Sequence, residues 1–509
     1  MRKGSGAGWY NIFEEEDEAM TREVVIGLDI GTTSVKAVVF QLSGKVVSES
    51  EELITSYYPK QGWVEQDPDE IERLAVKVVR TAIEEGNINN TEILTVGFSS
   101  AMHSLICIGK DRQPLSPALI WADGRSSEQA KKMKQEKGKM VFEKTGVPIH
   151  PMTPLSKLIW MKEVGYEPYL SAAYFLSIKE YLLLKWFDQR VVDYSMAVST
   201  GLLNAHSLDW DEDLLKLADI QRNQLSEVVS PMTILTGLKE HIAGEMGVDS
   251  DLPFVMGAAD GQLANLGIGA ISPGEVAITA GTSGAIRQFA NGFNITEKHD
   301  TFSYAFTKEF SIIGGPTNNG GIALQWLKEL LNYEGTFDEF TQEAEKVAPG
   351  AEGLLFLPYI NGERAPLWNQ QAKGNFFGMS VTHKREHFVR AVLEGITLNL
   401  YQIGQSLENL AGAPDKIYVN GGLARSSLWL QMLADIFGKE VYVAESHHSA
   451  AWGAAWTGLV ALNKAASFEQ IKENIPMSAP IIPSESNHKT YRELYKKYEL
   501  LVNDLVKHF

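Results

Sequence analysis

Val24-Val25-Ile26-Gly27-Leu28-Asp29-Ile30-Gly31-Thr32-Thr33-Ser34, running on into Val35-Lys36-Ala37-Val38-Val39-Phe40, is an apolar strand-like run, a Gly-Thr-Ser turn and a second apolar run. The plan recurs at Val276-Ala277-Ile278-Thr279-Ala280-Gly281-Thr282-Ser283-Gly284, running on into Ala285-Ile286-Arg287-Gln288-Phe289. The first unit turns at Ser43-Gly44-Lys45 and the second at Ala290-Asn291-Gly292. Glycine lets backbone approach an anion, while exposed N–H groups and Thr or Ser hydroxyls donate to phosphate oxygens. Either turn alone reads equally as an ordinary hairpin. Their repetition points to a duplicated device, a polyphosphate held between two related α/β domains.

At 509 residues the chain exceeds what one core usually serves, so two domains with a cleft are expected. The linker is placed near Gly267 to Pro273, giving an extension over 1–22 and domains over 23–268 and 269–509. The extension carries the acidic block Glu14-Glu15-Glu16-Asp17-Glu18, with Met20 as an alternative start. An acidic block stands where a signal peptide needs an apolar core, and no apolar run is long enough to span a bilayer. A net charge of -18 argues against nucleic acid and anionic membrane as partners. One cysteine, Cys107, excludes an intrachain disulfide framework and fits a cytoplasmic setting.

Further apolar runs end in polar or glycine turns: Leu94 to Phe98 before Ser99, Phe254 to Met256 before Gly257-Ala258-Ala259-Asp260-Gly261, and Ile417 to Val419 before Asn420-Gly421-Gly422. Ligands of open α/β sheets sit outside such strand ends. Helical periodicity covers Ile71 to Glu85 and Leu428 to Phe437, the latter closed by Gly438.

In the first turn Thr32, Thr33, Ser34 and Lys36 are candidate phosphate donors beside Gly31, and Asp29 is a candidate ligand of Mg2+ or its bound water. No Gly-x-x-x-x-Gly-Lys-Ser/Thr cradle occurs. Asp260 follows an apolar strand among small residues, with room for a substrate hydroxyl, and is the candidate base; a carboxylate capping the next helix is the alternative. Met102, His103 and Trp121 combine an apolar wall with hydrogen-bonding groups, as a polyol site requires, although a lone His also serves structure.

Met152-Thr153-Pro154-Leu155-Ser156-Lys157-Leu158-Ile159-Trp160, and Gly374-Asn375-Phe376-Phe377-Gly378-Met379 continuing to His387 through Glu394, resemble the signatures of the FGGY carbohydrate kinases. The resemblance runs from about Val24 to about Ala461. It implies two ribonuclease H-like domains of the actin, hexokinase and chaperone type with a catalytic cleft between them. It implies ATP and Mg2+ as cofactors, a sugar or sugar acid as substrate, and a homodimer. Carried over by residue, it places Thr32, Thr33, Ser34, Lys36, Gly281 and Thr282 on phosphates and Gly321, Gly422 and Ser426 near the nucleoside, and it makes Asp260 the catalytic base.

Glycerol kinases have an Arg-Glu pair where this chain has Met102-His103. The segment Thr145 to Lys157, with Ser100-Ala101-Met102-His103-Ser104 and Gly315 to Gly321, is similar to bacterial gluconate kinases of the family. D-gluconate is therefore the expected acceptor, with xylulose or another ketose or polyol as the alternative. A substrate carboxylate needs a cation, and Lys157, Lys179, Arg125 and Arg364 are the candidates. A nucleotide-gated switch like the actin or chaperone members of the fold is the alternative of a different class.

Overall fold

The structure, a computed structural model, describes residues 22–445 and 447–509. All of the expected extension except Arg22 lies outside the described residues.

The first sheet contains β1 (Val24–Ile30), β2 (Ser34–Gln41), β3 (Val46–Leu53), β4 (Ile93–Ser100), β5 (Ile234–Leu235) and β6 (Phe254–Ala259), in the order β5-β6-β4-β1-β2-β3. The second contains β7 (Glu275–Ala280), β8 (Gly284–Asn291), β9 (Phe302–Ala305), β10 (Phe310–Thr317), β11 (Lys416–Asn420) and β12 (Glu440–Val443), in the order β9-β10-β8-β7-β11-β12. Each sheet holds the same five-stranded pattern. An antiparallel meander, β1-β2-β3 or β7-β8-β10, is flanked on the side of its first strand by two parallel strands, β4 and β6 or β11 and β12. The repeat read from the two Gly-Thr-Ser hairpins is thus a repeat of whole ribonuclease H-like sheets. β9 is an insertion between the second and third strands of the later copy, entered through Gly292 at φ 67°.

Helices cover both sheets: α1 (Pro68–Gly86), α2 (Pro154–Glu163), α3 (Ile178–Phe187), α4 (Tyr194–Ser199), α5 (Asp260–Gly267), α6 (Gly321–Leu330), α7 (Arg385–Ala411), α8 (Ser427–Phe437), α9 (Ser449–Ala461) and α10 (Glu485–Leu505). Six of the seven residues of β1 are buried, so that strand reads as a nearly continuous apolar run. Asp67 caps α1 by accepting from the N–H of Asp69 at 2.9 Å, and Gly438 ends α8 in the left-handed region at φ 63°. No helix among the described residues is long and apolar enough to cross a membrane.

Two glycines explain how the later part of the chain grips the first sheet. Gly27 of β1 and Gly97 of β4 are register partners, which leaves a trough across the two strands. α9 fills it: a Cβ on Gly27 would stand 2.0 Å from the carbonyl oxygen of Ala451, and one on Gly97 2.1 Å from that of Ala454. The other side of α9 packs on α5, the helix that begins at Asp260. The base candidate is thereby fixed against both the sheet and a segment nearly two hundred residues downstream.

Candidate active site

Two cavities meet where α5 begins. The smaller, about 240 Å³, is lined by Thr32, Met102, His103, Trp121, Tyr304 and Arg364 among others. The larger, about 390 Å³, is lined by Asp29, Gly421, Gly422, Arg425, His447 and Ser449 among others. Asp260, Thr279 and Arg287 line both. A further concavity, about 1230 Å³ around Arg190 and Trp210, shares no lining residue with either; it is an open groove crossed by the Arg112–Asp188 and Arg222–Asp209 pairs.

Asp260 occupies the first turn of α5, and its carboxylate accepts from the N–H of Gly261 at 2.6 Å. Burial pushes its pKa up to about 6; the nearby Asp29 adds to the rise, while Arg287 and the Gly261 N–H oppose it. Asp29, near the end of β1, accepts from Ser99 Oγ at 2.7 Å, and burial raises its pKa too. Arg287 reaches in from β8, where Nη1 lies 3.4 Å from Thr279 Oγ1. Its guanidinium lies over the start of α5, 3.1 Å from where Gly261 would carry a Cβ. A carboxylate drawn toward neutral pH, beside a cation and on the wall between two cavities, can accept a proton from a group in one while charge develops in the other.

In the smaller cavity His103 sits at φ 69°, and its Nδ1 lies 2.9 Å from the carbonyl oxygen of Ser199. A carbonyl only accepts, so Nδ1 carries the proton and Nε2 is the acceptor of the neutral ring. Burial, helped by Lys157, brings its pKa down to about 3, so the ring is neutral at pH 7. Trp121 donates through Nε1 to Thr32 Oγ1 at 2.9 Å, and its ring faces the Arg364 guanidinium at 5.3 Å. Arg364 Nη2 donates to the Thr317 carbonyl at 3.1 Å, while its buried Nε has no hydrogen-bond partner among the described residues. Burial lowers the Arg364 pKa to about 10, which leaves it charged. Its loop is held by Glu363, which accepts from Thr317 Oγ1 at 2.6 Å and from the Arg364 N–H at 2.7 Å.

Three expected carboxylate partners point elsewhere. Lys157 is fully buried and donates to the carbonyls of His103, Leu119 and Ile120 at 2.6, 3.1 and 2.8 Å. It fastens the loop that presents His103, and burial brings its pKa down to about 7. Lys179, also fully buried, pairs with Asp193 at 2.7 Å, and Arg125 pairs with Asp123 at 2.8 Å and Glu65 at 2.7 Å. Neither lysine lines the smaller cavity; nor does Arg125. Of the four candidate cations, Arg364 alone does.

The first turn is less of a cradle than its residues suggest. Ser34 donates to Glu51 at 2.6 Å and Lys36 lies 3.5 Å from the same carboxylate, so both are tied across β2 and β3. Thr33 is exposed, Gly31 closes the turn through its N–H to the Ser34 carbonyl at 3.0 Å, and Thr32 belongs to the smaller cavity. In the second turn Gly281 accepts from the N–H of Gly321 at 2.7 Å and Thr282 is exposed, which joins that turn to the start of α6. Ser426 caps α8, accepting from the Trp429 N–H at 3.3 Å.

Backbone at Gly421 and Gly422 lines the larger cavity, and Gly421 needs its lack of a side chain: at φ 94° a Cβ would stand 2.6 Å from the Ala280 carbonyl oxygen. Arg287, Arg425, Asn420 and His447 are wall residues that sequence reasoning did not single out. A charge inside the apolar run of β8 was the available signal for Arg287. Among the described residues no group of three or more His, Cys, Asp or Glu gathers to hold a metal alone. Asp29 and Asp260 on one wall suit a hard divalent cation that takes its remaining oxygens from phosphate and water.

Residues 24–267 match the N-terminal domain and residues 276–462 the C-terminal domain of the FGGY family of carbohydrate kinases. The chain is 42% identical over 482 residues to a gluconokinase of Bacillus subtilis (strain 168), covering 92% of this chain and 94% of that protein. The crystal structure of a gluconate kinase from Lactobacillus acidophilus overlaps with a TM-score of 0.92 at 32% identity, covering 95% of this chain and 98% of that one. A ligand-bound xylulose kinase from the same organism overlaps equally, with a TM-score of 0.92, 32% identity and the same 95% and 98% coverage. With both domains matched and the actin/hexokinase-like architecture in place, this chain belongs to the FGGY family of carbohydrate kinases and is an enzyme of that kind.

Proposed function

We propose that the chain transfers the terminal phosphoryl group of ATP to the C6 hydroxyl of D-gluconate, giving 6-phosphogluconate and ADP. The observation that carries this reading is Asp260 on the wall common to both cavities, with Arg364, whose guanidinium Nε has no hydrogen-bond partner among the described residues, lining the smaller one. Gluconate lies in the smaller cavity with its carboxylate on Arg364, its chain along Trp121 and Met102, and a hydroxyl donating to His103 Nε2. Its far hydroxyl meets Asp260. The triphosphate occupies the larger cavity against the bare backbone of Gly421 and Gly422.

Asp260 takes the hydroxyl proton as the C6 oxygen bonds to the terminal phosphorus and the bond from that phosphorus to the ADP oxygen breaks. Arg287 faces the charge that gathers on the phosphoryl oxygens. Asp29 would hold Mg2+, directly or through water, and the ion would supply charge neutralisation on the phosphates. The anionic carboxylate end of the substrate and its neutral hydroxyl end thus meet different groups, Arg364 and Asp260. The reaction runs in the cytoplasm, where ATP is available and the single thiol stays reduced; burial pushes Cys107 up to about 12.

The second reading, xylulose as acceptor, is favoured by the equal overlap with the xylulose kinase structure. Incubation with ATP, Mg2+ and gluconate tests the first: a 31P signal of a primary phosphate ester that appears with ADP supports it, and ADP without a sugar ester contradicts it.

A further inference from the structure

We infer that Ser195, held by the buried Asp193–Lys179 pair, positions the catalytic carboxylate by anchoring the backbone one residue before it. This rests on the reading of Asp260 as the base. Ala259 ends β6 and is the N-cap residue of α5, so its placement sets where the Asp260 side chain leaves the helix. Its N–H donates to Ser195 Oγ at 2.8 Å. An N–H only donates, so the serine proton is directed to the other neighbour, Asp193 Oδ1, which also accepts from the N–H groups of Ser195 at 2.9 Å and Met196 at 3.1 Å. The second carboxylate oxygen accepts from Lys179 Nζ at 2.7 Å.

The chain Lys179, Asp193, Ser195, Ala259 is fully buried throughout. It joins α3 and α4 to the start of α5, and it meets β6 where that strand needs an anchor. The β4–β6 ladder is irregular between Val255 and Ala258, and Gly257 adopts φ 58° there. A buried ion pair is weak support for stability, because well-packed apolar residues serve a core as well or better. Its Asp193 end leads here through Ser195 to the residue preceding the base. Lys179 therefore acts on the reaction through three intermediaries, without touching substrate.

The test is a double-mutant comparison of Ser195→Ala and Asp260→Asn in the full chain, with kcat, both KM values and melting temperature measured for each. A displaced carboxylate lowers kcat about 10- to 100-fold in Ser195→Ala while KM for ATP and gluconate stay within about twofold. Against Asp260→Asn the same substitution then costs nothing further. Ser195→Cys, which keeps the volume and weakens the acceptor, gives an intermediate loss and carries the comparison if the alanine variant does not fold. Unchanged kcat in Ser195→Ala, or an equal loss in both backgrounds, overturns the inference while leaving the base assignment standing. Wild-type kcat in Asp260→Asn overturns the base assignment itself.

Discussion

Asp260 at the head of α5 and Arg287 in the middle of β8 lie in the N-terminal and C-terminal family domains and face each other on the wall between two cavities. Each offsets part of the other's cost of burial: the guanidinium holds the Asp260 pKa below where burial alone would take it, and the carboxylate does the reverse for Arg287. A base has to be ionised before it can accept a proton, and a phosphoryl group in flight needs positive charge. On the proposed reading, one pair meets both needs.

Replacing the base by its isostere isolates the proton transfer. Asp260→Asn lowers kcat about 10²- to 10⁴-fold with little change in KM for ATP, as read in a coupled ADP assay. A fall below about threefold contradicts the assignment.

The raised pKa has two measurable consequences. Activity needs the ionised form, so kcat/KM falls as pH drops through about 6. Stability runs the opposite way. Between the ordinary value of 3.8 and about 6 the folded state binds the extra proton, so this group's contribution to stability declines as pH rises through that window. Asp260→Asn removes that cost and melts at a higher temperature than the parent at pH 7.5, by the equivalent of about 1 to 3 kcal/mol. Calorimetry at pH 4 and pH 7.5 checks it: the gap between variant and parent narrows at pH 4.

On the proposed reading, Arg364 separates acidic from neutral acceptors. Arg364→Met lowers kcat/KM for gluconate about 10- to 100-fold, in line with about 1.5 to 3 kcal/mol for a charge-assisted hydrogen bond, and changes that for xylulose far less. Equal losses on both substrates would assign Arg364 to the fold.

The trough between β1 and β4 has no room for a methyl group. Gly97→Ala sets a Cβ 2.1 Å from the Ala454 carbonyl, a backbone atom that cannot rotate away, and destabilises by about 1 to 3 kcal/mol or more. Urea denaturation gives the value, and an unchanged midpoint would mean that α9 does not seat as described.

Much of the architecture is legible in the chain because it is local. Apolar runs broken by Gly-Thr-Ser mark both hairpins, and Gly438 ends α8 where expected. The site is legible where strand ends converge: Asp260, Met102, His103 and Trp121 all line one cavity. Partners distant in sequence hide the rest. Ser34 and Lys36 look like free phosphate donors until β3 brings Glu51 beside them, and Lys157 and Lys179 look like substrate cations until carbonyls and Asp193 surround them. Arg425 hides for the converse reason, since the fold that brings it to the cleft leaves no local pattern, while Arg287 shows locally only as a charge inside the apolar run of β8.

The most direct measurement is kcat/KM of the wild-type chain for D-gluconate and D-xylulose with ATP and Mg2+, the phosphorylated product identified by 31P NMR. The account predicts gluconate ahead by at least about tenfold, the worth of one charge-assisted bond, with phosphate on C6. Xylulose ahead by that margin, or turnover of ATP that no sugar accelerates, would contradict it.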